Sequence, residues 1–235
     1  MRYRTLYIAQ LIFIFLFPVF AFAETACSSV GYTVLTINGI FTDEAGAIQN
    51  RDVLKRYIRT FNNEPVTVDF LHNPSHLAGA GDMVKVLKQI LADGQTVDDF
   101  DLREMLSAAS EKVKTRKILL VGHSQGNFYA NGMYDVLTGD VSIGVYSVAT
   151  PAARVAGEGE YLTSTNDKVI EELAAGVAEV LRARILPPNT TIPSVAGDAS
   201  RGHSFSGVYL RERGAEIVAG LERALGKLTS DKEDS

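Results

Sequence analysis

The segment from Lys117 to Gly132 constrains the fold more strongly than any other part of the sequence. An apolar run, Ile118 to Val121, leads into the turn Gly122-His123-Ser124-Gln125-Gly126, and a helical pattern follows. An apolar run of this length fits a strand buried on both faces of a parallel sheet. In this context the G-x-S-x-G pattern predicts a sharp strand-to-helix turn that presents Ser124 as a nucleophile. The alternative is an ordinary turn that happens to contain a serine.

Length, composition and charge limit the function classes. The chain has 235 residues, which suits one α/β domain, and its 46% apolar and 22% charged residues are typical of a globular protein. The formal net charge is −5, with 28 acidic residues against 23 basic residues. We therefore expect no nucleic-acid partner.

The first residues have the pattern of a secretory signal peptide. Arg2 and Arg4 precede the apolar run Leu11–Phe17, and Ala21-Phe22-Ala23 supplies an A-x-A cleavage site. The sequence predicts a signal peptide over residues 1–23, cleaved after Ala23, and a secreted or periplasmic protein. The alternative is an uncleaved membrane anchor. Membrane contact is expected only through this segment or through a lipid substrate.

Cys27, the single cysteine, follows the predicted cleavage site closely. An intramolecular disulfide is therefore impossible, although the compartment should be oxidising. A free thiol and an intermolecular bridge both remain open.

Predicted strands and helices alternate along the rest of the chain, which predicts a three-layer α/β fold with a mostly parallel sheet and helices on both faces. One domain should span residues 24–230, followed by a polar tail over 231–235. The predicted strands are 32–37, 66–71, 118–121, 141–148, 161–165 and 190–195; the predicted helices are 43–61, 77–92, 97–113, 127–137, 169–186 and 204–228.

The segment between the strands over 141–148 and 161–165 is too short for a large cap domain. The sequence therefore predicts a minimal cap. If a segment covers the site, the helices between Leu77 and Val113 or the loop His72–His76 are the better candidates.

A nucleophilic serine requires a base, and the chain has four histidines. His203 is the predicted base, because it follows the last predicted strand and lies in a loop before the closing helix. His123, inside the turn, should point away from the Ser124 hydroxyl. His72 and His76 follow the second predicted strand and could line a pocket. Pro74 separates them and argues against a helical metal-binding pair, so no metal is predicted.

The base requires an orienting carboxylate, and Asp167 at the end of the strand over 161–165 is the predicted residue. Asp198 and Asp140 are the alternatives: Asp198 shares a loop with His203, and Asp140 precedes its strand and so faces the opposite edge of the sheet.

Two backbone N–H groups should form an oxyanion hole. The predicted donors are Gln125, directly after the serine, and Ile40, in the loop after the first strand, with Phe41 as the alternative to Ile40. Asn38, Phe41, His72 and His123 are further candidates for lining the pocket.

Gly122-His123-Ser124-Gln125-Gly126 is similar to the turn common in lipases, and Asn38-Gly39-Ile40 resembles their oxyanion loop, with Asn38 where a histidine is frequent. The chain thus resembles a small lipase/esterase-like member of the α/β-hydrolase superfamily over most of its length from Tyr32 onward.

The resemblance implies an α/β-hydrolase-type sandwich, a Ser124–His203–Asp167 triad, an acyl-enzyme and no cofactor. The implied substrate is a small-molecule or lipid ester. Thioester, amide or acyl-transfer chemistry on the same triad remains an alternative, as does a non-catalytic binding protein on a hydrolase scaffold.

Overall fold

The computed structural model of the chain describes residues 27–40, 42–73, 99–176, 185–195 and 197–229. Three predictions lie outside these residues: the signal peptide with its cleavage after Ala23, the helix over 77–92, and the polar tail. Most of the predicted covering segments, including His76, also lie outside them. No helix in the described ranges combines the length and apolar character needed to cross a bilayer.

The described residues form a six-stranded sheet in which five neighbouring strands run parallel. Its order is β2-β3-β1-β4-β5-β6, and only the short edge strand β2 runs antiparallel to its neighbour β3. The strands are β1 Tyr32–Ile37, β2 Thr60–Phe61, β3 Glu64–Leu71, β4 Lys117–His123, β5 Ser142–Val148 and β6 Tyr161–Leu162.

Helices pack against the sheet in two groups. The helices are α1 Glu44–Tyr57, α2 Asp99–Lys112, α3 Gly126–Leu137, α4 Lys168–Gly176 and α5 Leu210–Gly226. Helices α1 and α5 contact each other and the sheet, and α2 and α3 form the second contacting pair. The predicted α/β class, with a mostly parallel sheet and helices packed against it, is confirmed.

Strand β4 is the centre of the sheet, and all of its residues are buried. It pairs with β1 on one side and with β5 on the other. Leu119 and Leu120 have no exposed surface, and burying a side chain of this kind stabilises a fold by about 1.5–3 kcal/mol. Since parallel strands end at one edge, the residues after β1, β3, β4 and β5 are brought together there.

The predicted helix over 43–61 was too long. Helix α1 begins after the N-cap Asp43 and ends at Tyr57, and Thr60 and Phe61 then pair with Pro65 and Glu64. Asn62 and Asn63 connect the two strands with φ angles of 49° and 64°. Asparagine tolerates this left-handed backbone, so the pair forms a tight hairpin turn as well as ending the helix.

The predicted strand over 161–165 was too long, and the strand predicted over 190–195 was wrong, because only an isolated bridge forms there. Beyond Leu162 only one bridge, Ser164 to Thr190, joins these segments. The Asn189 side chain accepts a hydrogen bond from the Thr163 N–H at 2.9 Å, and therefore takes the place of a ladder partner. Pro193 lacks the N–H that a longer ladder would need.

The closing helix predicted over 204–228 has two parts. A π-helical turn, Phe205–Tyr209, precedes α5, and the Ser204 carbonyl accepts from both Val208 and Tyr209. The helix predicted over 169–186 is described over Lys168–Gly176, and Ile185 is not helical.

Replacement of Gly126 by alanine should destabilise the protein. An added Cβ would lie 2.2 Å from the Ile37 carbonyl oxygen and 2.9 Å from that of Asn38, and backbone atoms cannot move aside as a side chain can. The cost of overpacking, about 1–3 kcal/mol or more, should exceed the gain in helix propensity of about 1 kcal/mol. Urea denaturation measures the net loss. Gly139→Ala is the control, because a Cβ there meets nothing within 4 Å; equal stability of the two variants would contradict the packing argument.

Candidate active site

Ser124 lies in a sharp turn between β4 and α3, with a left-handed backbone at φ 55°. Such a conformation costs a non-glycine residue roughly 1–3 kcal/mol. Two hydrogen bonds stabilise the turn and offset this cost. The Ser124 N–H donates to the Val148 carbonyl at 3.1 Å, and Asn127 Nδ2 donates to the Ser124 carbonyl at 2.8 Å. The turn is therefore fixed to the end of β5.

The loop after β1 passes directly over the serine. A Cβ added at Gly39 would lie 2.5 Å from Ser124 Cβ and 3.0 Å from its Oγ. Only a residue without a side chain fits at this distance. Ile40, the next residue, lines the same cavity as Ser124, so the predicted oxyanion loop and the predicted nucleophile are neighbours.

His203 is hydrogen-bonded to Asp167. The Nδ1 atom of His203 lies 2.8 Å from Asp167 Oδ2 and 3.0 Å from Oδ1. Since a carboxylate accepts, Nδ1 carries the proton and Nε2 of a neutral ring is left as the acceptor. The Asp167 side chain is fully buried, whereas 16% of the His203 side chain is exposed.

Asp167 has further donors besides His203. Its Oδ1 accepts from the N–H groups of Val169 and Ile170, each at 3.1 Å, so that it caps α4. Its Oδ2 accepts from the Tyr209 hydroxyl at 2.9 Å, and this hydroxyl in turn accepts from the Ser164 N–H at 3.0 Å. Burial and the nearby Asp167 charge raise the pKa of Tyr209 well above its ordinary value, so the phenol stays protonated.

The two alternative carboxylates lie elsewhere. Asp198 accepts from Ser200 Oγ at 2.6 Å and from the Gly202 N–H at 2.7 Å, and thus stabilises the loop before His203. Burial acts to raise the pKa of Asp198, but these hydrogen bonds outweigh it and lower that pKa. Asp140 lies in the turn before β5, at the opposite end of that strand.

Ser124 and His203 line one cavity of about 870 Å³. Among the hydrogen bonds of the described residues, none joins Ser124 Oγ to His203 Nε2; such contacts are often long in ligand-free enzymes and shorten when substrate binds. Five apolar residues contribute to the wall: Ile40, Val169, Leu173, Ala199 and Phe205.

The charged residues at the cavity include an ion pair. Arg201 Nη1 donates to Glu172 Oε2 at 2.9 Å, and a second bond joins Arg201 Nη2 to Glu172 Oε1. The hydrogen bonds lower the pKa of Glu172 and raise the pKa of Arg201, so both stay ionised and offset each other. Asp43 also lines the cavity, and its carboxylate caps α1 by accepting from the Gly46 N–H.

An asparagine pair anchors the loop after β1 from below. Asn38 Oδ1 accepts from the Asn73 N–H at 2.9 Å, and Asn38 Nδ2 donates to the carbonyl of Gly39 at 2.9 Å. Asn73 Nδ2 then donates to the Gln125 side chain at 2.8 Å. This network ties the peptide before Ile40 and the side chain of Gln125 to the residues that follow β3. Asn73 was not among the predicted site residues, although its position after a strand that ends at the same edge was a signal for it.

The pocket candidates lie in different places. His123 lines the cavity, whereas Asn38 and His72 are not among the described residues that do. Asn38 is buried under the loop, where its amide binds backbone, and His72 Nε2 lies 3.2 Å from the Thr42 carbonyl oxygen. Phe41 lies outside the described residues. The described part of the chain contains no group of three or more His, Cys, Asp or Glu that could hold a metal ion.

His123 is buried beside His203. Its Nε2 lies 2.8 Å from the His203 carbonyl oxygen, and the two ring centroids are 4.8 Å apart. Burial and the neighbouring His203 lower the pKa of His123 to about 3, so the ring is neutral at ordinary pH. Because a carbonyl only accepts, Nε2 carries the proton; Nδ1 is buried without a partner in the described part of the chain.

No protein-family model matches this sequence, and no curated protein matches it.

Removal of the Tyr209 hydroxyl should cost stability. Tyr209→Phe deletes a hydrogen bond to a buried carboxylate and leaves the Ser164 N–H without its acceptor. We expect a loss of about 1.5–3 kcal/mol in unfolding free energy, measured by urea denaturation. Tyr146→Phe is the matched control, because Tyr146 is also buried but its hydroxyl has no hydrogen bond to a described residue. A Tyr209→Phe effect no larger than the control would contradict this role.

His123 should make the fold sensitive to acid. Between its folded pKa of about 3 and the ordinary value of 6.5, the unfolded chain binds a proton that the folded chain does not. Stability therefore falls as the pH drops below 6.5, by about 2 kcal/mol at pH 5. Urea denaturation at pH 7, 6 and 5 measures the slope, which His123→Gln should reduce; equal slopes would contradict a neutral buried His123.

Proposed function

We propose that the chain is a serine hydrolase, a small lipase/esterase-like member of the α/β-hydrolase superfamily, which cleaves carboxylic esters. The observation that supports this most strongly is one cavity lined by two groups: Ser124 in a left-handed turn after the central strand, and His203 held through Nδ1 by the buried Asp167. The order of Ser124, Asp167 and His203 along the chain is the one that α/β-hydrolases use.

The first step forms the acyl-enzyme. His203 Nε2 accepts the Ser124 proton while Oγ bonds to the acyl carbon. The N–H groups of Ile40 and Gln125 stabilise the negative charge that develops on the carbonyl oxygen. Asp167 stabilises the imidazolium of His203 through the Nδ1 hydrogen bond. The imidazolium then gives its proton to the leaving alcohol as the carbon–oxygen bond to that alcohol breaks.

The second step releases the acid. His203 accepts a proton from water, the water oxygen bonds to the acyl carbon, and the bond to Ser124 Oγ breaks as Oγ regains a proton. This chemistry requires no metal or organic cofactor. The apolar part of the cavity wall favours a small-molecule or lipid ester with an apolar acyl group. We propose a secreted or periplasmic location, after removal of residues 1–23.

Hydrolysis of p-nitrophenyl esters of graded acyl length by the mature protein tests the proposal. Ser124→Ala and His203→Ala should each lower kcat by about 10³-fold or more, and Asp167→Asn should also act mainly on kcat. His72→Ala is the histidine control and should retain most activity, because His72 does not line the described cavity.

Labelling by a fluorophosphonate gives a second readout at Ser124 itself. Turnover that persists in His203→Ala but is lost in His72→Ala would contradict the assignment of the base. An unsubstituted protein that neither hydrolyses any ester nor is labelled at Ser124 would contradict the enzyme proposal and favour a binding protein on this scaffold.

A further inference from the structure

We propose that His123 is a positioning residue: its Nε2–H holds the His203 main chain by its carbonyl and thereby places the base against the turn that carries the nucleophile. This inference rests on the proposed function, since it concerns how the base of that reaction is placed.

The residue that donates this hydrogen bond, His123, belongs to a rigid part of the molecule. His123 is the last residue of β4, pairs with Val148 of β5 and directly precedes Ser124. Its side chain packs between the His203 ring, 4.8 Å away, and the Phe205 ring, 5.5 Å away, measured between centroids. The hydrogen bond to the His203 carbonyl is 2.8 Å long. Nucleophile and base are therefore joined through one residue that neighbours both.

The segment that carries His203 is a loop rather than a helix or strand. The preceding Arg201 and Gly202 have positive φ angles of 57° and 85°, Asp198 Oδ2 accepts from the Gly202 N–H, and the His203 N–H donates to the Ser200 carbonyl within the same loop. Asp167 fixes the imidazole, but it binds only Nδ1. The His123 bond fixes the backbone of the same residue. A misplacement of about 1 Å in a reacting group can cost about 10²-fold in rate.

A neutral donor suits this position better than a charged one. A lysine or a protonated histidine here would place a second positive charge beside the imidazolium that His203 forms during the reaction. The ionisable groups around His123 are His203 in the loop, Asp167 at the start of α4, and Tyr209 in the π turn. Burial keeps His123 neutral among them, so it can donate without opposing the proton transfer.

Two substitutions separate the hydrogen bond from the packing. His123→Leu has similar bulk but no donor, whereas His123→Gln retains an N–H at nearly the reach of Nε2. With p-nitrophenyl butyrate, His123→Leu should lower kcat about 10- to 100-fold with KM nearly unchanged. His123→Gln should stay within about fivefold of the unsubstituted protein.

A double-mutant cycle distinguishes positioning from general damage. If His123 acts through His203, His123→Leu should cause little further loss in a His203→Ala background, measured as residual turnover or as the rate of fluorophosphonate labelling at Ser124. A further loss as large as that in the unsubstituted background would overturn the proposal. Equal impairment of the Leu and Gln variants would also overturn it.

The failure of this inference can be told apart from failure of the proposed function. Normal ester turnover by the unsubstituted protein together with full activity of His123→Leu refutes the positioning role alone. No turnover and no labelling of the unsubstituted protein refute the proposed function, and the positioning role with it.

Discussion

The left-handed backbone of Ser124 is the constraint on which the rest of the site depends. At φ 55° the chain turns sharply at Ser124, away from the direction of β4. The neighbouring segments must therefore approach the serine closely. The loop after β1 can pass over it only because Gly39 has no side chain, and α3 can begin beneath that loop only because Gly126 has none. Since β1 and β4 are parallel and adjacent, their ends meet at this point. The sheet topology and the two glycines together therefore place the predicted oxyanion loop beside the serine.

Asp167 joins the parts of the site that come from later in the chain. Its carboxylate accepts from four donors: the N–H groups of Val169 and Ile170, the Tyr209 hydroxyl and His203 Nδ1. A fully buried carboxylate needs compensation of this kind, because leaving it unpaired would cost several kcal/mol. The same four bonds fix α4, the His203 loop and the π turn relative to one another. The carboxylate proposed to orient the base thus also holds together the elements that form one side of the cavity.

The sequence predicted those parts of the structure that depend on the local residue pattern and on where the parallel strands end. The β-branched and aromatic residues of Tyr32–Ile37 predicted β1 at its observed bounds. The rule that parallel strands end at one edge set Asp140 aside and favoured Asp167, whose Oδ2 lies 2.8 Å from His203 Nδ1. The rest depends on contacts that local pattern does not encode. Asn189 replaces a ladder partner of Thr163, which shortens β6. Asn73 reaches Asn38 across the sheet edge, and Tyr209 bonds to Asp167 from within the π turn. Each is a side chain bonded to a residue distant in sequence, and spacing alone does not identify the partner that it binds.

The ionisable side chains next to His203 keep their protonation states during the proposed reaction. Burial and the Asp167 charge raise the pKa of Tyr209, so this hydroxyl remains a donor. Burial lowers the pKa of His123 to about 3, so this ring remains neutral and donates from Nε2. The Glu172–Arg201 pair offsets its own charges at the cavity. The neighbours of His203 therefore act as fixed donors and acceptors. The hydrogen bond to Asp167 stabilises the imidazolium that His203 forms. Fixed partners of this kind need little reorganisation during the reaction, which is the main source of electrostatic catalysis.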